Sequence, residues 1–200
     1  MPRPKVHDDA LRVRLLEQAV RTLSDEGPDG LSLRKLAAQA ETSTTAVYSL
    51  FGGKPGLLNA VYNEAFRRFG KSLDEADGAE DPGEALCAMA LAYRASALHE
   101  PHFYRVMFSP SDNGATTDDE SLRRAEATYQ PLRDVVRRAV DAGLFRAESL
   151  DVLATSIWGT VHGMVSLELD ALLPAGAGEP VEVYRGAVLA LCTGWRADPS

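Results

Sequence analysis

Residues 31–54 hold two amphipathic stretches, each too short to be stable as an isolated helix, separated by three residues and each preceded by a serine. Ser32 is placed to cap the first, which puts Leu33, Leu36, Ala37 and Ala40 on one face. Glu41-Thr42-Ser43 makes a tight turn, Ser43 caps the second stretch, and that stretch runs to Phe51 before Gly52-Gly53 interrupts it. Upstream, the stripe Leu11, Leu15, Leu16, Ala19, Val20, Leu23 predicts a first helix that begins near Asp8 or Asp9 and is stopped by Gly27-Pro28-Asp29-Gly30. Two short helices joined by a three-residue turn and packed on a longer one have helix-turn-helix geometry, in which the later helix projects outward.

Downstream the periodicity stays helical, with no convincing period-two run, so the expected fold is all-α with about nine helices. Pro55 suits the first position of a fourth helix carrying Leu57, Leu58, Val61, Tyr62, Ala65, Phe66 and Phe69. A polar linker with Gly78, Asp81, Pro82 and Gly83 follows. Then come a fifth helix (Ala85, Leu86, Met89, Ala90, Tyr93, Leu98) and a short sixth after Pro101. Residues 109–119 read as a loop, and a long helical pattern to Gly143 should kink or split at Pro131. Two more helices are expected over about 149–173 and 180–196. The predicted division is a head over 1–54 and a helical body over 55–200.

The net charge of −8 is unevenly spread: residues 1–72 hold 11 Lys+Arg against 8 Asp+Glu, or +3, leaving 10 against 21, or −11, for residues 73–200. An acidic body with a basic head points that head toward a polyanion. No apolar run approaches the ~20 residues that span a bilayer, and no apolar stretch follows the basic start, so neither membrane insertion nor export is expected. Cys87 and Cys192 both fall inside apolar helical patterns and are expected as small core residues in a reducing cytoplasm.

On the second short helix Val47, Leu50 and Phe51 suit inward positions, leaving Thr44, Thr45, Ala46, Tyr48 and Ser49 for its outer face and N-terminal end. Short hydroxyl and methyl groups can meet phosphates, base edges or a thymine methyl. Lys54 combines a cation with the free N–H groups of a helix start, which suits a phosphate. The arm Arg3-Pro4-Lys5 could add a backbone or minor-groove contact.

Leu31 to Leu58 resembles the DNA-binding signature of the tetracycline-repressor (TetR) family, through Ser32-Leu33, Leu36-Ala37, Ser43, Val47-Tyr48, Phe51, Lys54 and Leu57-Leu58. Glu41 stands where many members carry Gly, and Leu50 where many carry His or Tyr. The resemblance implies a repressor released from a palindromic operator by a small-molecule effector. It implies phosphate contacts at Tyr48 and Lys54, groove contacts at Thr44, Thr45, Ala46 and Ser49, and Arg34 near backbone or base, with Ser43 counted in the same surface. A shorter resemblance, Ile157-Trp158-Gly159-Thr160-Val161-His162-Gly163-Met164 with the segment Pro101 to Phe108, is to the Trp-His-Gly class of C-terminal domain.

Trp158 and His162 sit four apart on one helix face, as core or as the wall of an effector pocket that Met89, Tyr93, Phe103, Met107 and Tyr129 could also line. A dimer interface is expected on Leu153, Ile157, Val161 and Met164 of the penultimate helix and Tyr184, Ala187, Val188, Leu191 and Trp195 of the last. Paired about a two-fold axis these would form a four-helix bundle. Pro101 breaks the helix that would align His99 and His102, so no metal is expected, nor any cofactor. A helical enzyme centred on His162 lacks a positioned nucleophile. A protein-binding module in place of a DNA-binding one is the other alternative.

Overall fold

Serine side chains start the two short helices as the sequence requires. The computed structural model describes residues 5–76, 78–108 and 119–197, which form nine α-helices and, among them, no strand. Arg3 and Pro4 of the arm, and residues 109–118 of the expected loop, lie outside them. α1 covers Lys5–Gly30, with its ladder broken at Gly27 (φ 69°) and a last turn holding Pro28. α2 spans Leu33–Gln39, α3 Thr44–Phe51 and α4 Lys54–Asp74, so Lys54 and not Pro55 opens the fourth helix.

The chain divides into two compact units. The first comprises Met1–Arg68 with Glu100–Ala125, and the second Phe69–His99 with Glu126–Ser200. In the first, α1 packs on α2 and on α6 (Pro101–Phe108), and α2 packs on α3. Leu15, Leu16, Leu36, Val47, Leu57 and Val61 are the largest fully buried side chains among its described residues. Arg68 knits this unit together. Its guanidinium meets Glu64 at 2.8 Å, Glu100 at 2.5 Å and Glu17 at 3.6 Å, and stacks 4.5 Å from the Phe103 ring centroid.

The second unit is built from α5 (Pro82–His99), α8 (Leu150–Leu169) and α9 (Pro180–Gly194), each packed on the other two, with most of α7 (Asp119–Asp141). α7 runs through Pro131 as one helix where a break was expected. A buried tyrosine and a paired charge tie α5 to its neighbours. The Tyr184 hydroxyl donates to the Ala90 carbonyl at 2.6 Å, and Arg94 holds Glu168 through two bonds of 2.7 and 2.5 Å. No helix among the described residues is long and apolar enough to cross a membrane.

The burial pattern corrects two expectations. Cys87 is exposed and Cys192 half-buried, both as free thiols, because each sits where α5 and α9 border a cleft and not where they touch. Leu153, Ile157, Val161, Tyr184 and Val188, expected at a dimer interface, are buried in this unit's own core. At 100° per residue, α8 and α9 each carry more than one apolar row, and the bulkier row faces home. Met164, Ala187, Leu191 and Trp195 are half-buried beside it.

Candidate nucleic-acid interface

The α2–turn–α3 surface is fixed by local hydrogen bonds. Ser32 Oγ accepts from the Lys35 N–H at 3.5 Å, and Ser43 Oγ from the Ala46 N–H at 3.1 Å. The turn is closed by Glu41 N–H to Ala38 carbonyl (3.2 Å) and Thr42 N–H to Ala37 carbonyl (2.9 Å). Glu41 adopts φ 52°, in the left-handed region that glycine occupies without strain. Gln18 of α1 donates to the Gln39 carbonyl at 3.2 Å and steadies the C-terminal end of α2.

Beneath the surface, Val47 is fully buried and Phe51 nearly so, with the Arg12 guanidinium 5.6 Å from the Phe51 ring centroid. Leu50 is half-buried, as is Ala46, so α3 sinks one side into the core. Thr44, Thr45, Tyr48 and Ser49 remain exposed, along with Ser43 at the N-cap and Arg34 and Lys35 on α2. Tyr48 is 57% exposed, the most open aromatic ring on this surface.

Two glycines shape the corner after α3. Gly52 (φ 71°) ends the helix with its N–H on the Tyr48 carbonyl at 2.8 Å. Gly56, which carried no signal in the sequence, lets the first turn of α4 pass against α3: a Cβ there would drive into the Phe51 carbonyl oxygen.

Lys54 is less free than its place in the sequence implied. Its Nζ donates to the Pro28 carbonyl at 2.6 Å, capping the broken end of α1, and the side chain is half-buried. Two ammonium protons remain for another acceptor.

In the second unit, Tyr93 is buried and its hydroxyl lies 3.1 Å from His162 Nδ1; burial lowers the pKa of that imidazole below its usual value. Tyr129 and Trp158 rings are 5.7 Å apart, Trp158 and His162 6.3 Å, and the Tyr129 and Thr155 hydroxyls 3.0 Å. Met89 is buried in the same unit, whereas Phe103 and Met107 lie in the core of the other. Among the described residues no cluster of three His, Cys, Asp or Glu side chains could hold a metal ion, and His102 Nδ1 instead meets Ser24 Oγ at 2.9 Å.

α1, α2, the turn at 41–43 and α3 form a helix-turn-helix head. The model of the tetR family of bacterial regulatory proteins matches residues 15–61, and that of the tetracyclin repressor-like C-terminal domain matches residues 86–191. The second covers more than half of the chain, and the chain belongs to the TetR family. It is 32% identical over 88 residues to the HTH-type transcriptional regulator BetI of Brucella anthropi, covering 43% of this chain. The match spans 45% of BetI, less than half its length. A solved protein of unknown function from Rhodococcus sp. RHA1 is 26% identical, with a TM-score of 0.82 over 94% of this chain and 96% of its own. AibR, solved with isovaleryl coenzyme A and operator DNA, is 21% identical with a TM-score of 0.72 over 89% of this chain and 96% of its own, a likeness of fold.

Proposed function

We propose that this chain is a DNA-binding transcriptional repressor that leaves a palindromic operator when a small-molecule effector binds, and that it works in the cytoplasm. The observation that carries the reading is the outer row of α3: hydroxyls of Thr44, Thr45 and Ser49 and the exposed Tyr48 ring, standing over a sealed core at a capped helix start. Such a surface can lie in a major groove about 12 Å wide. Thr44, Thr45, Ala46 and Ser49 meet base edges, while Ser43, Tyr48 and Lys54 meet phosphates, Lys54 with the protons that Pro28 leaves, and Arg34 lies near backbone or base. The working division is a DNA-binding head over residues 1–54 and an effector-binding, dimerising body over 55–200.

The homodimer reading keeps α8 and α9 but moves to their outward rows. Val152 and Leu167 of α8 are 47% and 40% exposed, and between them Gly159 and Gly163 have no atom within 4 Å of a built Cβ. On α9, Gly186, Ala190 and Gly194 recur at four-residue spacing and are exposed. Small residues at that spacing let two helices approach closely, and a two-fold axis makes the contact self-complementary. Recognition helices in such a dimer stand about 34–36 Å apart, one turn of DNA.

For the effector, Trp158, His162 and Gly163 support a Trp-His-Gly class body, with Tyr93, Tyr129, Trp158 and His162 as one pocket wall. AibR, which shares the fold, was solved with both a small ligand and operator DNA. Selection from a random duplex pool with the full-length protein tests the reading. It should return a two-fold symmetric sequence with half-sites one helical turn apart, and a pool that gains no common sequence would contradict it.

A further inference from the structure

Beside the outward row of α9, a cleft of about 350 Å³ opens against α5. Its size is at the lower end of the range for small-molecule sites, enough for a compound of one or two rings. Leu86, Leu91, Phe145 and Val188 give it apolar walls. Both thiols of the chain, Cys87 and Cys192, line it, and so do the guanidinium-bearing Arg185 and Arg196. Asp81 and Glu84 also border it. They serve the start of α5, where Asp81 accepts from the Glu84 N–H at 2.8 Å and Glu84 sits in the first turn, favoured there by the helix dipole.

We propose that this cleft captures a small apolar electrophile, an α,β-unsaturated carbonyl compound, and that Cys87 adds to it covalently. Apolar walls hold the carbon skeleton, and an arginine at the rim meets the carbonyl oxygen. The Cys87 sulfur bonds to the β-carbon as the alkene π pair moves onto the carbonyl oxygen, giving an enolate. The thiol proton ends on the α-carbon. One S–C bond and one C–H bond replace one S–H bond and one C=C π bond, and no oxidant is consumed.

Cys87 is the acting thiol because it is exposed at the cleft, where a reagent reaches it. Cys192 is half-buried, where a reagent reaches it less readily, and burial, reinforced by Cys87 nearby, pushes its thiol pKa up and disfavours its thiolate. An exposed thiol on an apolar wall contributes little to packing. This site stands on the cleft alone and does not depend on DNA binding.

The test uses the full-length protein with two probes, N-phenylmaleimide (apolar) and acrylamide (polar), read by intact mass and peptide mapping. Cys87 should react with N-phenylmaleimide about tenfold faster than Cys192, with a rate that saturates as probe is raised. Acrylamide should give a linear rate, and Cys87→Ser should remove the fast adduct while Cys192→Ser keeps it. Leu91→Trp, or Val188→Phe should the first misfold, fills the cleft and should bring the N-phenylmaleimide rate down to that of the urea-unfolded chain. Equal labelling of the two thiols, linear rates with both probes, or an unchanged rate in a folded cleft-filled variant would overturn the proposal.

Discussion

The outward row of α3 and the outward rows of α8 and α9 are built from the same helical geometry and opposite chemistry. α3 presents Thr44, Thr45, Tyr48 and Ser49, all able to bond to oxygen, with Arg34 and Lys35 exposed on the helix before it. α8 and α9 present Val152, Gly159, Gly163 and Leu167, and Gly186, Ala190 and Gly194, which offer a partner shape and apolar area but almost no hydrogen bonds. A helix face that presents hydroxyls suits a hydrated polyanion. A face of small and apolar side chains suits another helix. The difference lies in what each row leaves exposed, since the rows beneath are equally apolar.

The largest expected effect breaks the second face alone. Gly163→Arg places a long cation where a Cβ now meets no atom, so the chain should fold as before while the proposed dimer dissociates. By sedimentation its dissociation constant should rise about a hundredfold, equivalent to ~3 kcal/mol. An unchanged constant would place the interface elsewhere.

Next is Arg68, the centre of the first unit. Arg68→Ala leaves Glu100 without its cation and Glu64 with Arg67 alone and should cost about 2 kcal/mol in denaturant unfolding, whereas Arg67→Ala, at a side chain 55% exposed whose pair with Glu64 water screens, should cost about 1 kcal/mol. Equal losses would deny Arg68 its central place. Acid should find the same network. The hydrogen bond from Arg67, aided by those from Arg68, holds Glu64 at about 2 against an ordinary 4.5. Its contribution is therefore complete above pH 4.5 and lost as pH falls toward 2. His162, with its pKa lowered by burial, resists protonation in the folded state, so stability should already begin to decline below its ordinary 6.5. Arg67→Ala and Arg68→Ala should each flatten the lower limb of the stability–pH curve and leave the upper limb intact.

The smallest effect concerns the turn. Glu41→Gly relieves a left-handed backbone but loosens the unfolded chain, for a net gain of about 0.5 kcal/mol in thermal unfolding. A loss would mean that the Glu41 side chain holds the turn.

Legibility in the sequence followed the range of the interaction. Ser32 and Ser43 could be read as caps because a cap bonds three residues ahead, and both do. The stripe of α1, the turn at 41–43 and the end of α3 at Gly52 are equally local, which is why the head was read almost residue by residue. Lys54 was not, since its partner carbonyl at Pro28 is 26 positions away. Gly56 gave no warning, because its need arises only when the Phe51 carbonyl is brought against it. In α8 and α9 the period is legible and the buried face is not: Leu153, Ile157, Val161, Tyr184 and Val188 pack at home. Several rows of each helix are apolar or small, and period alone cannot say which one packs at home. The cysteines failed likewise: an apolar pattern locates a helix, and only the neighbouring helix decides whether a thiol is covered or borders a cleft.

The central claim, that the α3 surface lies against a duplex, is tested most directly by titrating a selected operator with the full-length protein and with Tyr48→Ala/Lys54→Ala across a range of salt. Wild-type affinity should fall linearly in log–log form with salt, and the double variant should bind about a hundredfold more weakly with a shallower slope and an unchanged circular dichroism spectrum. Affinity indifferent to salt, or a folded double variant that binds as tightly as the parent, would contradict it.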